Sequence, residues 1–63
     1  MMEGKIQLGS TWKNVTRNQF ITIVCVDVNG KVVSYTDNND KSEHPRIHEK
    51  KVEHIFRLFE IVQ

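Results

Sequence analysis

Two runs rich in β-branched residues flank the pair Asn29-Gly30: Phe20 to Val28 before it and Lys31 to Thr36 after it. Asn-Gly between such runs favours a type I′ turn, in which both central residues take φ > 0 and the backbone twist matches the flanking strands. The pattern therefore predicts a β-hairpin with a two-residue loop. That loop sets the register, placing Val28 opposite Lys31, Val26 opposite Val33 and Val24 opposite Tyr35. Val24, Val26, Val33 and Tyr35 become the expected core face. The other face carries Ile21, Ile23, Cys25 and Asp27 against Val32, Ser34 and Thr36, and is half apolar. A strand covered first on one side and then on the other is what a small, strongly bent barrel requires.

Upstream, Ile6, Leu8 and Trp12 share one parity around Gly9-Ser10-Thr11, which predicts an additional strand anchored inward by Trp12. Asn14 to Asn18 is then its turn, and the first three strands form a meander. After Tyr35 the pattern gives way to a polar stretch, about 37–45, with the composition of a surface loop. Beyond it Val52, Ile55, Phe56 and Phe59 follow the spacing of one helical face, predicting a short helix over about 49–58. No Ser, Thr, Asp or Asn precedes it as a cap. Phe59-Glu60-Ile61-Val62 reads as a last short strand.

With 63 residues the chain has room for one domain, 1–63, whose ordered core is expected at about 6–62. A domain of this size buries only about 60% of its unfolded surface and is marginally stable. An apolar fraction of 38% beside 27% charged residues is too hydrophobic for a disordered chain and too mixed for a membrane protein. The single cysteine, Cys25, has no partner within the chain, which fits a reducing compartment. Its place inside an apolar strand predicts a buried, inert thiol. The Met1 to Ile6 start has no apolar segment following its charges, so the expected location is cytoplasmic. A net charge of +1 lacks the strong field of a dedicated nucleic-acid binder.

In chain order these pieces are Gly9-x-x-Trp12-x-Asn14, Phe20-x-x-Ile23-x-x-Val26, Asn29-Gly30-x-Val32-x-x-Tyr35 and Ile55-Phe56-x-x-Phe59-x-x-Val62. The pattern resembles the small uncharacterised phage and prophage proteins that carry an SH3-like barrel. The resemblance spans roughly Gly9 to Val62 and implies a fold: mainly β, an SH3-like antiparallel barrel with one short C-terminal helix. Where those proteins often have a Gly-containing first turn, this chain has Thr16-Arg17-Asn18.

Candidate chemistry is sparse. His44, His48 and His54 fall within eleven residues and with Cys25 make four nominal zinc ligands. However, Pro45 disfavours the helix that would bring His44 and His48 together, and no Cys-x-x-Cys accompanies them. No metal or cofactor is expected. Lys41, Arg46, Lys50, Lys51 and Arg57 are phosphate-binding types, and Trp12, Phe20 and Tyr35 are base-stacking types. From Asp40 to His54, however, Lys41, Arg46, Lys50 and Lys51 are balanced by Asp40, Glu43, Glu49 and Glu53. Interspersed signs describe an ordinary solvated face. Trp12, Phe56 and Phe59 are in phase with their elements and expected in the core, whereas Tyr35 is the aromatic expected to be partly exposed. No nucleophile triad, carboxylate pair or phosphate loop can be placed. Asn14-Val15-Thr16 fits a glycosylation acceptor but reads more simply as a turn.

The sequence therefore points away from an enzyme and toward an accessory protein of phage type that binds a host or phage protein. The expected contact residues are Tyr35, Asp37, Asn38, Asn39, Arg46, Lys50 and Lys51. The alternative is a small nucleic-acid-binding module using Arg46, Lys50, Lys51 and an exposed aromatic. Self-association stays open, since a marginal domain gains by covering apolar surface.

Overall fold

The computed structural model describes residues 6–62, so the reading of the Met1 to Lys5 start lies outside it. Five strands and one helix follow in the order β1 (Thr11–Asn14), β2 (Phe20–Val26), β3 (Val32–Asp37), β4 (His48–Lys51), α1 (Val52–Leu58) and β5 (Phe59–Ile61). All neighbours are antiparallel in one sheet of order β4-β3-β2-β1-β5. The expected meander β1-β2-β3 and the last strand around 59–62 both form. The sheet is open rather than a closed barrel, because β4 and β5, its two edges, are not laddered to each other. α1 carries the chain from one edge to the other.

The β2–β3 hairpin forms where expected but with a different turn. Within this turn only Gly30 has positive φ, +69°, so the type I′ geometry, which needs Asn29 there as well, is not adopted. Instead the Gly30 amide donates to the Asp27 carbonyl at 2.9 Å, closing a tight turn, and the Asp27 amide donates to the Val32 carbonyl at 3.0 Å. The Asp27 carboxylate accepts from the Lys31 amide at 2.9 Å and the Val32 amide at 3.4 Å. A side chain able to cap two loop amides makes the longer, Val28–Lys31 loop competitive with the two-residue one.

The register is as expected at Val26–Val33 and Cys25–Ser34, but the pairing then slips, so that Ile23 rather than Val24 faces Tyr35. A β-bulge absorbs one extra residue in β2, so two residues oppose one and the side-chain alternation resets. As a consequence Ile21 and Ile23 join Val33 and Tyr35 on one face, with Val26 partly buried beside them. Val24, expected in the core, is 41% exposed, and Cys25, expected buried, is exposed on the other face.

The core is completed by Ile6, Trp12, Ile55 and Phe59. The Trp12 indole N–H donates to Ser10 Oγ at 2.9 Å, and that hydroxyl donates to the Gln7 carbonyl at 2.6 Å, so the buried polar handle is satisfied. Leu8, expected to share Trp12's face, is exposed because the chain turns through Gly9 at φ +85° before β1 begins.

The helix is shorter than expected. His48–Lys51 forms β4, pairing with β3 from Tyr35–His48 to Val32–Lys51. Helical geometry starts at Val52, after an extended Lys51 that makes no side-chain cap bond. The Val52 amide is taken up by the Lys31 carbonyl at 2.8 Å. Ile55 and Phe59 are buried as the spacing requires, but Phe56 is 41% exposed and lies with its ring centroid 5.7 Å from Trp12. No helix among the described residues is long and apolar enough to cross a membrane.

Candidate functional site

Cross-strand partners in an antiparallel sheet share a face, so the register says which side chains meet. Tyr35 shares the core face with its partners Ile23 and His48, and Lys50 shares it with Val33. Asn14 is opposite Phe59. Together with Thr16, Arg17 and Gln19 of the β1–β2 loop and Leu58, the residues Tyr35, Lys50, Asn14 and Phe59 line a depression of about 380 Å³.

Its walls are held by a chain of polar contacts. Asn14 Oδ1 accepts from the Thr16 amide at 2.9 Å, the Thr16 hydroxyl at 3.0 Å and the Arg17 amide at 3.2 Å. This capping fixes the loop that carries Arg17. The Val15 amide donates to the Leu58 carbonyl at 2.9 Å, tying the loop to the end of α1. Gln19 bridges the other wall: it accepts from Asn14 Nδ2 at 3.4 Å and donates to Asp37 Oδ2 at 3.0 Å.

Tyr35 sits at the centre. It is only 6% exposed, and its ring stacks on His48 with centroids 5.4 Å apart and planes 23° apart. Among the described residues its hydroxyl makes no hydrogen bond, although no fully enclosed side-chain polar atom is left without a partner. Tyr35 is also one of the residues that line the depression. Burial, and secondarily the Asp37 carboxylate, raises its pKa above 10.0, keeping the phenol neutral and able to donate.

The other expected contact residues have different fates. Tyr35, expected partly exposed, is a core residue. Asp37 and Asn38 are spent on the fold: Asp37 accepts from Gln19 and from the Asn39 amide at 2.8 Å, and Asn38 Oδ1 accepts from the Thr22 hydroxyl at 2.8 Å. Asn39 is exposed. Arg46 is exposed and its amide is held by Asp40 Oδ2 at 3.1 Å. Lys50 and Lys51, adjacent in sequence, project to opposite faces of β4 by strand alternation. Lys50 lines the depression, whereas Lys51 lines a separate hollow of about 530 Å³ with Lys31 and Glu53. They do not make one patch.

Comparison with family models, curated proteins and solved structures finds no match for this chain.

His44, His48 and His54 are exposed, and among the described residues no three His, Cys, Asp or Glu side chains are grouped so as to hold a metal ion. A further hollow, of about 330 Å³, borders the β2–β3 turn and is lined by Ile6, Val26 and Val52 beside the turn residues. Neither it nor the Lys51 hollow is lined by a buried residue with a polar side chain, so the depression at Tyr35 is the stronger candidate. Asn14, Arg17 and Gln19 were not singled out as contact residues by the sequence. Their only sequence signal is a polar turn following a core tryptophan, which is common to many loops.

Proposed function

We propose that this protein is a non-enzymatic, SH3-like binding module that captures a protein partner through the depression at Tyr35. The observation that carries the reading is a buried tyrosine whose hydroxyl has no partner among the described residues and which lines the depression together with Arg17 and Lys50. Buried polar groups are normally satisfied, and Tyr is among the residues that dominate protein recognition because it combines a rigid apolar ring with a polar tip. The strand order β4-β3-β2-β1-β5, with a short helix between β4 and β5, supports an SH3-like identity for the sheet. The resemblance to small phage and prophage proteins supports an accessory role toward a host or phage protein. A nucleic-acid role through Arg46, Lys50 and Lys51 has less in its favour, since Lys50 and Lys51 face apart.

A peptide-display selection on the immobilised chain tests the proposal. Enriched peptides should shift the backbone amide signals of Tyr35, Lys50 and the 15–19 loop, and Arg17→Glu should weaken them by at least about tenfold, the scale of a lost charge-assisted contact. Enrichment of peptides that perturb only other surfaces, or none from a well-folded sample, would overturn it. A mobility shift with DNA or RNA that weakens steeply with salt would favour the nucleic-acid reading instead.

A further inference from the structure

Building on the partner-binding reading, we propose that the depression at Tyr35 selects a carboxylate group of the bound peptide. Three observations carry the choice of chemistry. First, Tyr35 lines the depression and offers a neutral O–H with no acceptor among the described residues. An oxygen acceptor supplied by a ligand satisfies it.

Second, Arg17 and Lys50 line the same depression and no carboxylate does. The Arg17 backbone is held by Asn14 Oδ1, which sets where its side chain begins, and the fork of N–H donors matches the two oxygens of a carboxylate. Lys50 rises from the edge strand β4, next to His48 and its stacked Tyr35 ring.

Third, Asp37 sets the magnitude of the charge. It stands close enough to Tyr35 to raise the phenol's pKa and is already engaged by Gln19 and the Asn39 amide. The two lining cations, with the Asp37 carboxylate behind Gln19, leave a local charge of about one positive unit, which matches a monoanion; a phosphate dianion would leave excess negative charge near Asp37. A volume of about 380 Å³ holds one or two peptide residues, and Leu58 and Phe59 give the neighbouring side chain an apolar floor.

Nuclear magnetic resonance titration of the full chain with defined probes tests this. The probes are acetyl-Gly-Leu-Asp-Gly-amide, its Asn counterpart, acetyl-Gly-Leu-Gly-Gly with a free terminal carboxylate, and inorganic phosphate. The expected result is saturable shifts at Asn14, Arg17, Tyr35 and Lys50 with one or both carboxylate peptides, and at least about tenfold weaker binding of the Asn peptide. Response to the Asp peptide alone assigns a side-chain carboxylate, and response to the free acid alone assigns a chain terminus. Arg17→Glu should weaken either by about tenfold or more, and Tyr35→Phe by about threefold to tenfold, the range of one hydrogen bond, with Trp12 fluorescence unchanged to show that the fold is intact. Binding of the Asn peptide as tight as that of the better carboxylate peptide, or tighter binding of phosphate, would overturn the carboxylate assignment. If display-selected peptides bind at the depression while neither carboxylate probe does, the assignment fails and the partner-binding reading stands. If nothing binds there, both fail.

Discussion

Ile23 and Val24 are adjacent, similar in chemistry, and opposite in fate. Ile23 is 1% exposed and packs into the core; Val24 sits at the bulge and is 41% exposed. Truncating a fully buried isoleucine costs about 2–5 kcal/mol, comparable to the roughly 3–5 kcal/mol that a core of this size supplies. Ile23→Ala should therefore leave most molecules unfolded at room temperature, whereas Val24→Ala should cost less than about 1 kcal/mol. Urea titrations of the two variants decide it, and equal losses would refute the bulge. Tyr35 offers a second measurement because it is the only tyrosine. Its folded-state pKa is raised by burial and by Asp37. The neutral phenol thus favours the fold below pH 10.0, and that contribution is lost as the pH rises through the folded value. Absorbance at the phenolate band should give a titration midpoint above 10.0 in the folded protein and near 10.0 in urea.

At the level of elements, the 37–45 segment is a loop organised by two aspartates rather than a loose polar tether. Asp37 holds the Asn39 amide, and Asp40 holds the Ser42 amide and hydroxyl and the Arg46 amide. Hydrogen bonds from Ser42 and from the Arg46 amide lower the Asp40 pKa from 3.8 to about 2. A lowered folded-state pKa means that ionised Asp40 favours the ordered loop above pH 3.8 and that this preference is lost as the pH falls from 3.8 toward about 2. Signals of Ser42 and Arg46 should then move together across that range while core amides stay unchanged. Asp40→Asn should give the low-pH positions at neutral pH. If Ser42 and Arg46 are indifferent to both changes, the loop is not organised by this carboxylate.

β4 shows how an element can be made by its neighbour. His48-Glu49-Lys50-Lys51 has little intrinsic preference for a strand, and it adopts one because β3 presents an unpaired row of backbone groups. The same edge ends the extension of α1 toward residue 49, since those residues are already committed to the ladder. The charges on β4 also suit an edge strand, as they discourage further pairing.

For the molecule as a whole, the helix cannot exist alone. Seven residues are too few to form a stable helix in water, so α1 depends on burying Ile55 and on the contact of Phe56 with Trp12. Trp12 fluorescence and the far-ultraviolet dichroism of backbone structure should therefore change in a single coincident urea transition. Separate midpoints would mean that α1 and β5 detach before the meander unfolds. The depression at Tyr35 has the same global character, because its lining comes from β1, the 15–19 loop, β3, β4, α1 and β5.

What the chain determines locally could be read from it: two β-branched runs about Asn29-Gly30, a polar loop after Tyr35, the burial of Ile55 and Phe59, and a final strand. These follow from periodicity and turn chemistry, which act between near neighbours. Tertiary structure alone decided the bulge that exchanged Ile23 for Val24 and the strand at His48–Lys51. It also decided which polar residues remain available. Tyr35 and Lys50 were legible as candidates, but Asp37 and Asn38 are consumed by contacts to Gln19 and Thr22, and Arg17 gains its place beside Lys50 only when β1 and β4 lie in one sheet. A site built from residues far apart in sequence is set by register, and register depends on pairings that no local stretch contains.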